Sequence, residues 1–343
     1  MHQQNAAEPV QTELQTPPAL RMRKRTPRQG LASLAGWVVT LVVFASVPFW
    51  LSVDNTLLIE GMIVAAVFAL ATNFLVHHAG LTTFGQAVFY GIGAYTIGLF
   101  SVHTHVSFWV AVVLGPFFAA LAALVIGALS LRARAFYFAL LTLGFSQLFY
   151  NLSMVFYGFT RGDTGIYGIP LPGFLRSPLW SYEFIFIVGA AGGLALWWIV
   201  RTPFGLAIMA IRDNRRRAQS LGMNSYVQLL AAFVISGFFC GLAGVLFIVY
   251  QQHAYPEMLN WQSSGAPILM SVLGGMSTFA GPVVGAVIYT LLENFVGGIT
   301  TYWELIIGVV VLALILIYPG GIVRGVVQLA RKLGSFGNGG RGQ

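Results

Sequence analysis

The chain has 343 residues, 57% of them hydrophobic and only 8% charged. A soluble domain carries about 25% charged residues, so this composition excludes a soluble globular protein and points to a polytopic membrane protein. The net charge of +8 lies in short segments between apolar runs, the pattern of membrane orientation and not of nucleic-acid binding. A single cysteine, Cys240, inside an apolar run excludes a disulfide framework and reads as packing material.

Residues 1–30 are polar and rich in Pro and Gln, with Arg21, Arg23, Lys24, Arg25 and Arg28 just before the first apolar run. They read as a disordered, basic cytosolic tail leading into a start-transfer anchor, because a cleavable signal peptide has a shorter polar lead. Apolar runs follow near 35–53, 56–76, 85–103, 107–130, 135–157, 182–200, 227–250, 266–291 and 302–318. Each is long enough, at about 17–26 residues, for a helix across a hydrocarbon core of about 30 Å. The transmembrane domain is read over 31–325, and 326–343 as a flexible cytosolic tail.

With the first tail inside and strict alternation, every Lys and Arg before the C-terminal tail falls inside except Arg161 and Arg176, and the charge of that tail places it inside as well. Nine spans would nevertheless put the basic C-terminal tail outside. The weak point is 263–299, broken by Gly274-Gly275 and Gly281-Pro282. It holds two short spans or a re-entrant half-helix pair, and either gives an even count. The expected fold is therefore an all-α polytopic integral membrane protein with about 8–10 transmembrane helices, some broken or re-entrant. A faint internal echo links Thr83-Phe84 through Tyr95 with Thr278-Phe279 through Tyr289. It fits either two related halves or a chance likeness of Gly/Ala-rich helices.

In chain order, the first motif places Gly80, Gly85, Gly91 and Gly93 around Gln86. It suits a tight packing face or the lining of a path, and the two are compatible. Arg132 and Arg134 read as topological anchors, with Phe136 and Tyr137 in the interface belt. Thr142 is placed to bond its own helix backbone. Residues 160–170, with Asp163 and three glycines, read as an outer loop of turn chemistry or as a contact for an external partner. Asn73, His77, His78, Gln147, Asn151, Glu293 and Glu304 lie in or near spans, where polar groups are functional candidates. The adjacent histidines lack a matching acidic cluster and do not make a metal site.

Residues 204–224 are the one polar, arginine-rich insert between long apolar runs. Phe204, Ile208, Ile211, Ala218 and Leu221 recur at helical spacing. The other face holds Arg212, Asp213, Arg215, Arg216 and Gln219, and Gly222 stands where a C-terminal cap would stand. The insert reads as a solvated loop with ordinary charge or as a docking helix for a cytosolic motor. Catalytic signatures are missing. Lys24 and Lys332 are the only lysines and neither follows a glycine, so there is no phosphate loop of that type. The Gly275-Met276-Ser277 step lacks the last glycine of a nucleophile elbow. No enzymatic activity and no catalytic residue are expected.

The order and spacing of 80–95, 131–145, 160–168, 204–224, 271–286 and Tyr318-Pro319-Gly320-Gly321-Ile322 resemble the LivM-like family, over about 55–325. Its members are membrane permeases of bacterial ABC importers for branched-chain amino acids. The resemblance implies a half-transporter that moves branched-chain or related amino acids from periplasm to cytosol. Its implied partners are a second homologous permease, two cytosolic ATPase subunits that use ATP and Mg, a periplasmic substrate-binding protein and the lipid bilayer, with no nucleic acid. The chain itself would bind no cofactor and no metal. It would lie in the bacterial inner membrane with both termini cytosolic. In that frame Gly205, Ala210, Ile211, Arg212, Asp213 and Gly222 are the candidates for coupling to the ATPase. Gln86, Gly91, Gly93, Thr142, Gly274 and Gly275 are the candidates for the translocation path. Two features depart from the family: Asp213-Asn214-Arg215-Arg216-Arg217 is more basic than usual, and the N-terminal tail is long. The alternative is a stand-alone secondary transporter or channel for a small polar solute, which would need ionisable residues at depth for ion coupling.

Overall fold

Tight helix packing in lipid is patterned by side-chain size more than by polarity, because lipid is as apolar as leucine. The third long helix shows this directly. Gly115, Ala119, Ala123 and Gly127 point into the protein, while Phe117, Leu121, Val125 and Leu129 are left uncovered. The computed structural model of the chain describes residues 52–104, 107–133, 135–300, 302–317 and 321–323. The expectations for the 1–30 and 326–343 tails, for most of the 35–53 run, for Arg134 and for 318–320 lie outside the described residues.

The chain is nearly all helical. Helix α1, Val53–Asn73, continues into a π-helical turn, Phe74–His78. Then come α2 (Gln86–His103), α3 (Phe108–Ser130), α4 (Ala135–Val155) and the single turn α5 (Tyr157–Thr160). Helix α6, Pro178–Arg201, leads into the short pair α7 (Pro203–Asp213) and α8 (Arg215–Ser220), followed by α9, Ser225–Gln251. Helices α10 (Gly265–Gly274), α11 (Gly281–Gly297) and α12 (Trp303–Ile317) complete the order. Among the described residues five helices are long and apolar enough to cross a membrane, and two shorter apolar ones add to them. In α1 and α9, 72% of the apolar window is covered by the rest of the chain, against 22% in α4 and α6. So α1 and α9 are the central pillars.

Helices α2, α3 and α9 meet along a glycine seam. A Cβ on Gly93 would overlap the Gly241 carbonyl, and one on Gly244 would overlap that of Tyr90. At one end of the bundle lie the loops after α2, α4 and α9. There β1 (Ile166–Tyr167) pairs antiparallel with β2 (His253–Ala254), Ile166 opposite Ala254, and Trp109 stacks on Phe174 at 5.7 Å. At the other end lie His77, Leu131, the α7–α8 pair and the α10–α11 turn. Tyr226 donates to the Ala128 carbonyl there at 2.9 Å.

The apolar run at 266–291, which its glycines mark as broken, is two antiparallel helices. Gly285 lies against the Met270 carbonyl and Gly274 against that of Gly281, with no room for a Cβ at either. Gly275 turns the hairpin at φ +109°, in the region that favours glycine. Asn73 Nδ2 donates to the Met276 carbonyl at 3.3 Å, so the hairpin reaches the level where α1 gives way to its π turn. Helix α10 has 10 residues, about 15 Å, half of the hydrocarbon thickness. The chain covers the other half without α-helix. Residues 252–264 descend into the bundle as two 3-10 turns, Pro256–Leu259 and Trp261–Ser264. Leu259 lies on Gly91, and Ser264 Oγ accepts from the Ala87 N–H at 2.9 Å. That bond satisfies one of the orphan donors at the buried start of α2. Irregular backbone at depth is tolerated here because protein covers it.

Candidate functional site

The polar insert is not the single helix that its spacing predicts. The Asn214 side chain accepts from the Arg217 N–H at 2.9 Å while its own backbone is extended, φ −157° and ψ 96°. It ends α7 and caps α8, as asparagine does when its side chain competes for backbone donors. Ile208, Ile211 and Ala218 keep their buried places, at 0%, 3% and 3% exposure. Leu221, read as part of the same stripe, is 73% exposed, because the corner at Asn214 resets the helical phase. Gly222 ends α8 at φ +82°; its N–H bonds the Gln219 carbonyl at 2.9 Å, and the Met223 N–H bonds that of Ala218 at 3.1 Å. This is a Schellman cap. The outer face carries Leu206, Ala210, Asp213, Arg216 and Arg217, all uncovered.

Two residues of the pair make contacts with neighbouring helices. Gly205 presses against the end of α6, where a Cβ would overlap the Val200 carbonyl oxygen and come within 2.7 Å of that of Ile199. Arg212 reaches across to the end of α1. One guanidinium nitrogen donates to the His77 carbonyl at 2.6 Å, and two others hold the Asp213 carboxylate at 2.8 and 3.0 Å. The His77 carbonyl is an orphan of a helix end, and a charge-assisted donor is a strong partner for it. Gly80 accommodates the arginine stem: at φ +69°, a Cβ there would meet Arg212 Cγ at 2.6 Å. The α7–α8 pair is thus tied to α6 through Gly205 and to α1 through Arg212.

A second feature lies between α1, α9, the descending segment 252–264, α10, α11 and α12. It is a cavity of about 900 Å³, at the upper end of small-molecule sites. One wall is aromatic. Phe247 is its hub, with the rings of Tyr90, Tyr250, His253 and Tyr255 at 5.8, 6.1, 6.0 and 6.1 Å, and Phe68 stacks on Tyr90 at 4.6 Å. Polar groups from the descending segment and from α11 complete it, Glu257, Asn260, Glu293 and Asn294 among them. Apart from Glu293, and from Tyr90 and Tyr289 within two of the glycine-rich segments, the motifs singled out in the sequence do not announce this chamber. The cluster of Gln251, His253, Tyr255, Glu257, Asn260 and Gln262 between two apolar runs was the available signal.

The six residues expected along the path do not line this chamber. Gln86 is fully buried between α1 and α9; its Oε1 accepts from Cys240 Sγ at 2.9 Å and from Ser236 at 3.4 Å. Its amide nitrogen has no partner among the described residues. Gly91 packs under Leu259, Gly93 belongs to the glycine seam, and Gly274 and Gly275 form the hairpin. Thr142 donates to the Ala139 carbonyl at 2.9 Å, as its position predicts, and accepts from the Phe84 N–H at 3.3 Å. None of the six lines the chamber. Glu60, which the sequence motifs passed over, is buried in α1, where it accepts from Ser181 of α6 at 2.8 Å.

Comparison with known proteins adds the following. A family profile described as "Branched-chain amino acid transport system / permease component" matches residues 31–316. The high-affinity branched-chain amino acid transport system permease protein LivM of Escherichia coli (strain K12) is 28% identical over 278 residues, 73% of this chain and 65% of the relative. The ribose import permease protein RbsC of Haemophilus influenzae is 24% identical over 280 residues, 75% of this chain and 82% of the relative. The autoinducer 2 import system permease protein LsrC of Photorhabdus laumondii is 32% identical over 107 residues, 29% of this chain and 32% of the relative. The chain thus spans 65% of the length of the LivM relative. No solved structure matches it.

Proposed function

Since the chain belongs to the branched-chain amino acid permease family, we propose that it is the membrane-spanning subunit of an ATP-driven importer for amino acids, branched-chain or related. Separate ATPase subunits supply the energy with ATP and Mg. A second homologous permease completes the pathway, and a periplasmic binding protein delivers the solute. The end of the bundle that carries Arg132, Arg201 and the α7–α8 arginines faces the cytosol of a bacterial inner membrane.

The observation that carries this reading is the division of labour within α7–α8. Its inner face is anchored by Ile208, Ile211 and Ala218, while Leu206, Ala210 and Asp213 stand uncovered at i, i+4 and i+7. A surface stripe of this kind on an otherwise lipid-embedded chain suits a groove on another protein. Nucleotide binding in the partner moves that groove. The displacement passes through Gly205 to α6, through Arg212 to α1, and through the buried isoleucines to the core. Helices α1 and α9 supply walls of the chamber, so a lever at one end changes a space at the other. The two-state switch is biased by the ATPase and read out in the chamber.

Ala210 is the residue with which to test this. Gly205 is unsuitable, because its tight contact is inside the chain. An Ala210→Trp variant leaves the buried face untouched, so insertion and stability should be unchanged. Solute-stimulated ATP hydrolysis in the assembled complex should fall at least about tenfold, an interface loss of some 1.4 kcal/mol. Full stimulation in that variant would refute the docking role of α7.

A further inference from the structure

The chamber has a chemical bias of its own. Among the described residues that line it the full charges are two carboxylates, Glu257 and Glu293, with no lysine or arginine beside them. Neither carboxylate has an ion pair among the described residues, where Arg212–Asp213 is the one salt bridge. The same chamber holds the aromatic wall built on Phe247, with Phe68, Tyr90, Tyr250 and Tyr255 among its lining residues. Aromatic faces attract cations through their quadrupole, and carboxylates attract them by charge. Both repel an anion. The remaining wall is aliphatic, with Leu58, Val64 and Ile307, and suits a short apolar body.

We propose that this chamber receives the ammonium end of its solute, between Glu257, Glu293 and the aromatic wall, and that it selects organic ammonium compounds over polyols and net anions. The proposal rests on reading the chamber as part of the path. It separates this chain from relatives whose names specify ribose or autoinducer 2. A neutral polyol would gain the amides of Asn260 and Asn294 but nothing from the two charges. A free carboxylate would meet two like charges and no cation among the described lining residues. The solute's acidic end is therefore left to surfaces outside the chamber, and amines without a carboxylate fit as well as amino acids do.

The test is a titration of the full chain in lipid nanodiscs with four probes: isoamylamine, leucine, isocaproate and ribose. Isoamylamine and leucine should bind, and isocaproate and ribose should bind at least about tenfold more weakly. The E257Q/E293Q double variant should lose about tenfold in affinity for both amines. D163N, in the outer turn away from the chamber, should lose none. Glutamine keeps the shape of glutamate, and both glutamates are exposed positions, so loss of fold is not the expected effect; a thermal melt of each variant checks it. Three results would overturn the proposal: isocaproate or ribose binding as tightly as isoamylamine, unchanged amine affinity in the double variant, or no binding of isoamylamine at all. No nucleotide and no partner enters the titration. Its failure therefore leaves the docking role of Leu206 and Ala210 standing, and failure of the Ala210→Trp test leaves the titration interpretable.

Discussion

Helix α9 takes part in two regions built on opposite plans. Along the seam with α2 and α3 it presents Gly237, Gly241 and Gly244, and its neighbours come so close that no Cβ fits. Nearer its C-terminus it presents Phe247 and Tyr250, whose rings stand around open space. Both stretches are apolar, and hydropathy treats them alike. Glycine lets backbones touch, which fixes helices by close van der Waals contact where lipid offers no hydrophobic drive. Large rings hold helices apart and give the space a chemistry. Seam residues should therefore govern whether the bundle exists, and chamber and lever residues what it does.

The strongest way to break that distinction is one substitution at two places two residues apart. In Gly93→Ala the new methyl meets the backbone carbonyl of Gly241, which has nowhere to go. A loss of about 2–3 kcal/mol is expected, read as a large drop in melting temperature in detergent. In Gly91→Ala the methyl meets the flexible end of Leu259, and the loss should stay below about 1 kcal/mol. Equal losses would show that the seam has no special status.

Next in size is Arg212→Ala. It leaves the His77 carbonyl without its donor, which costs about 1–3 kcal/mol locally. It also cuts the contact between α7 and α1. Solute-driven ATP hydrolysis and uptake should fall together by about tenfold while the complex still assembles. Loss of assembly instead would move Arg212 from the lever to the docking surface. Asn214→Ala has a smaller effect than Arg212→Ala. It removes the cap of α8 at about 1 kcal/mol, and a spin label at Arg217 should become more mobile. Unchanged mobility would mean that packing of Ala218, and not the cap, holds α8.

Much of the fold could be read in the chain. The apolar runs at 85–103, 107–130, 135–157 and 227–250 coincide with α2, α3, α4 and α9 to within about three residues, because length and hydropathy are local properties. The breaks were legible where glycine marked them, at Gly274-Gly275 and at Gly222. The corner at Asn214 was missed, since a spacing rule counts apolar positions and does not weigh one side chain's competition for backbone donors. The descending segment 252–264 was missed for another reason. Its polar composition matches a surface loop, and it is carried inside by contacts between distant segments, such as the Ser264–Ala87 bond, 177 residues apart. The same limit holds for the chamber: Gly91, Gly93, Gly274 and Gly275 sit in close backbone contacts, while one chamber wall is made of aromatic residues that hydropathy counts as ordinary span.

The sequence by itself determined that the chain lives in lipid, where its spans lie, which segments carry the positive charge, and that the insert at 204–224 presents a buried and an uncovered face. Each of these depends on composition and short-range periodicity, which are written within a few turns of chain. Only the tertiary structure decided that Arg212 holds the end of α1, that Gly205 is spent on an internal contact, and that Glu257 and Glu293 share one chamber with Phe247. These facts depend on which helices become neighbours, and close packing between distant segments leaves no periodic trace in either partner.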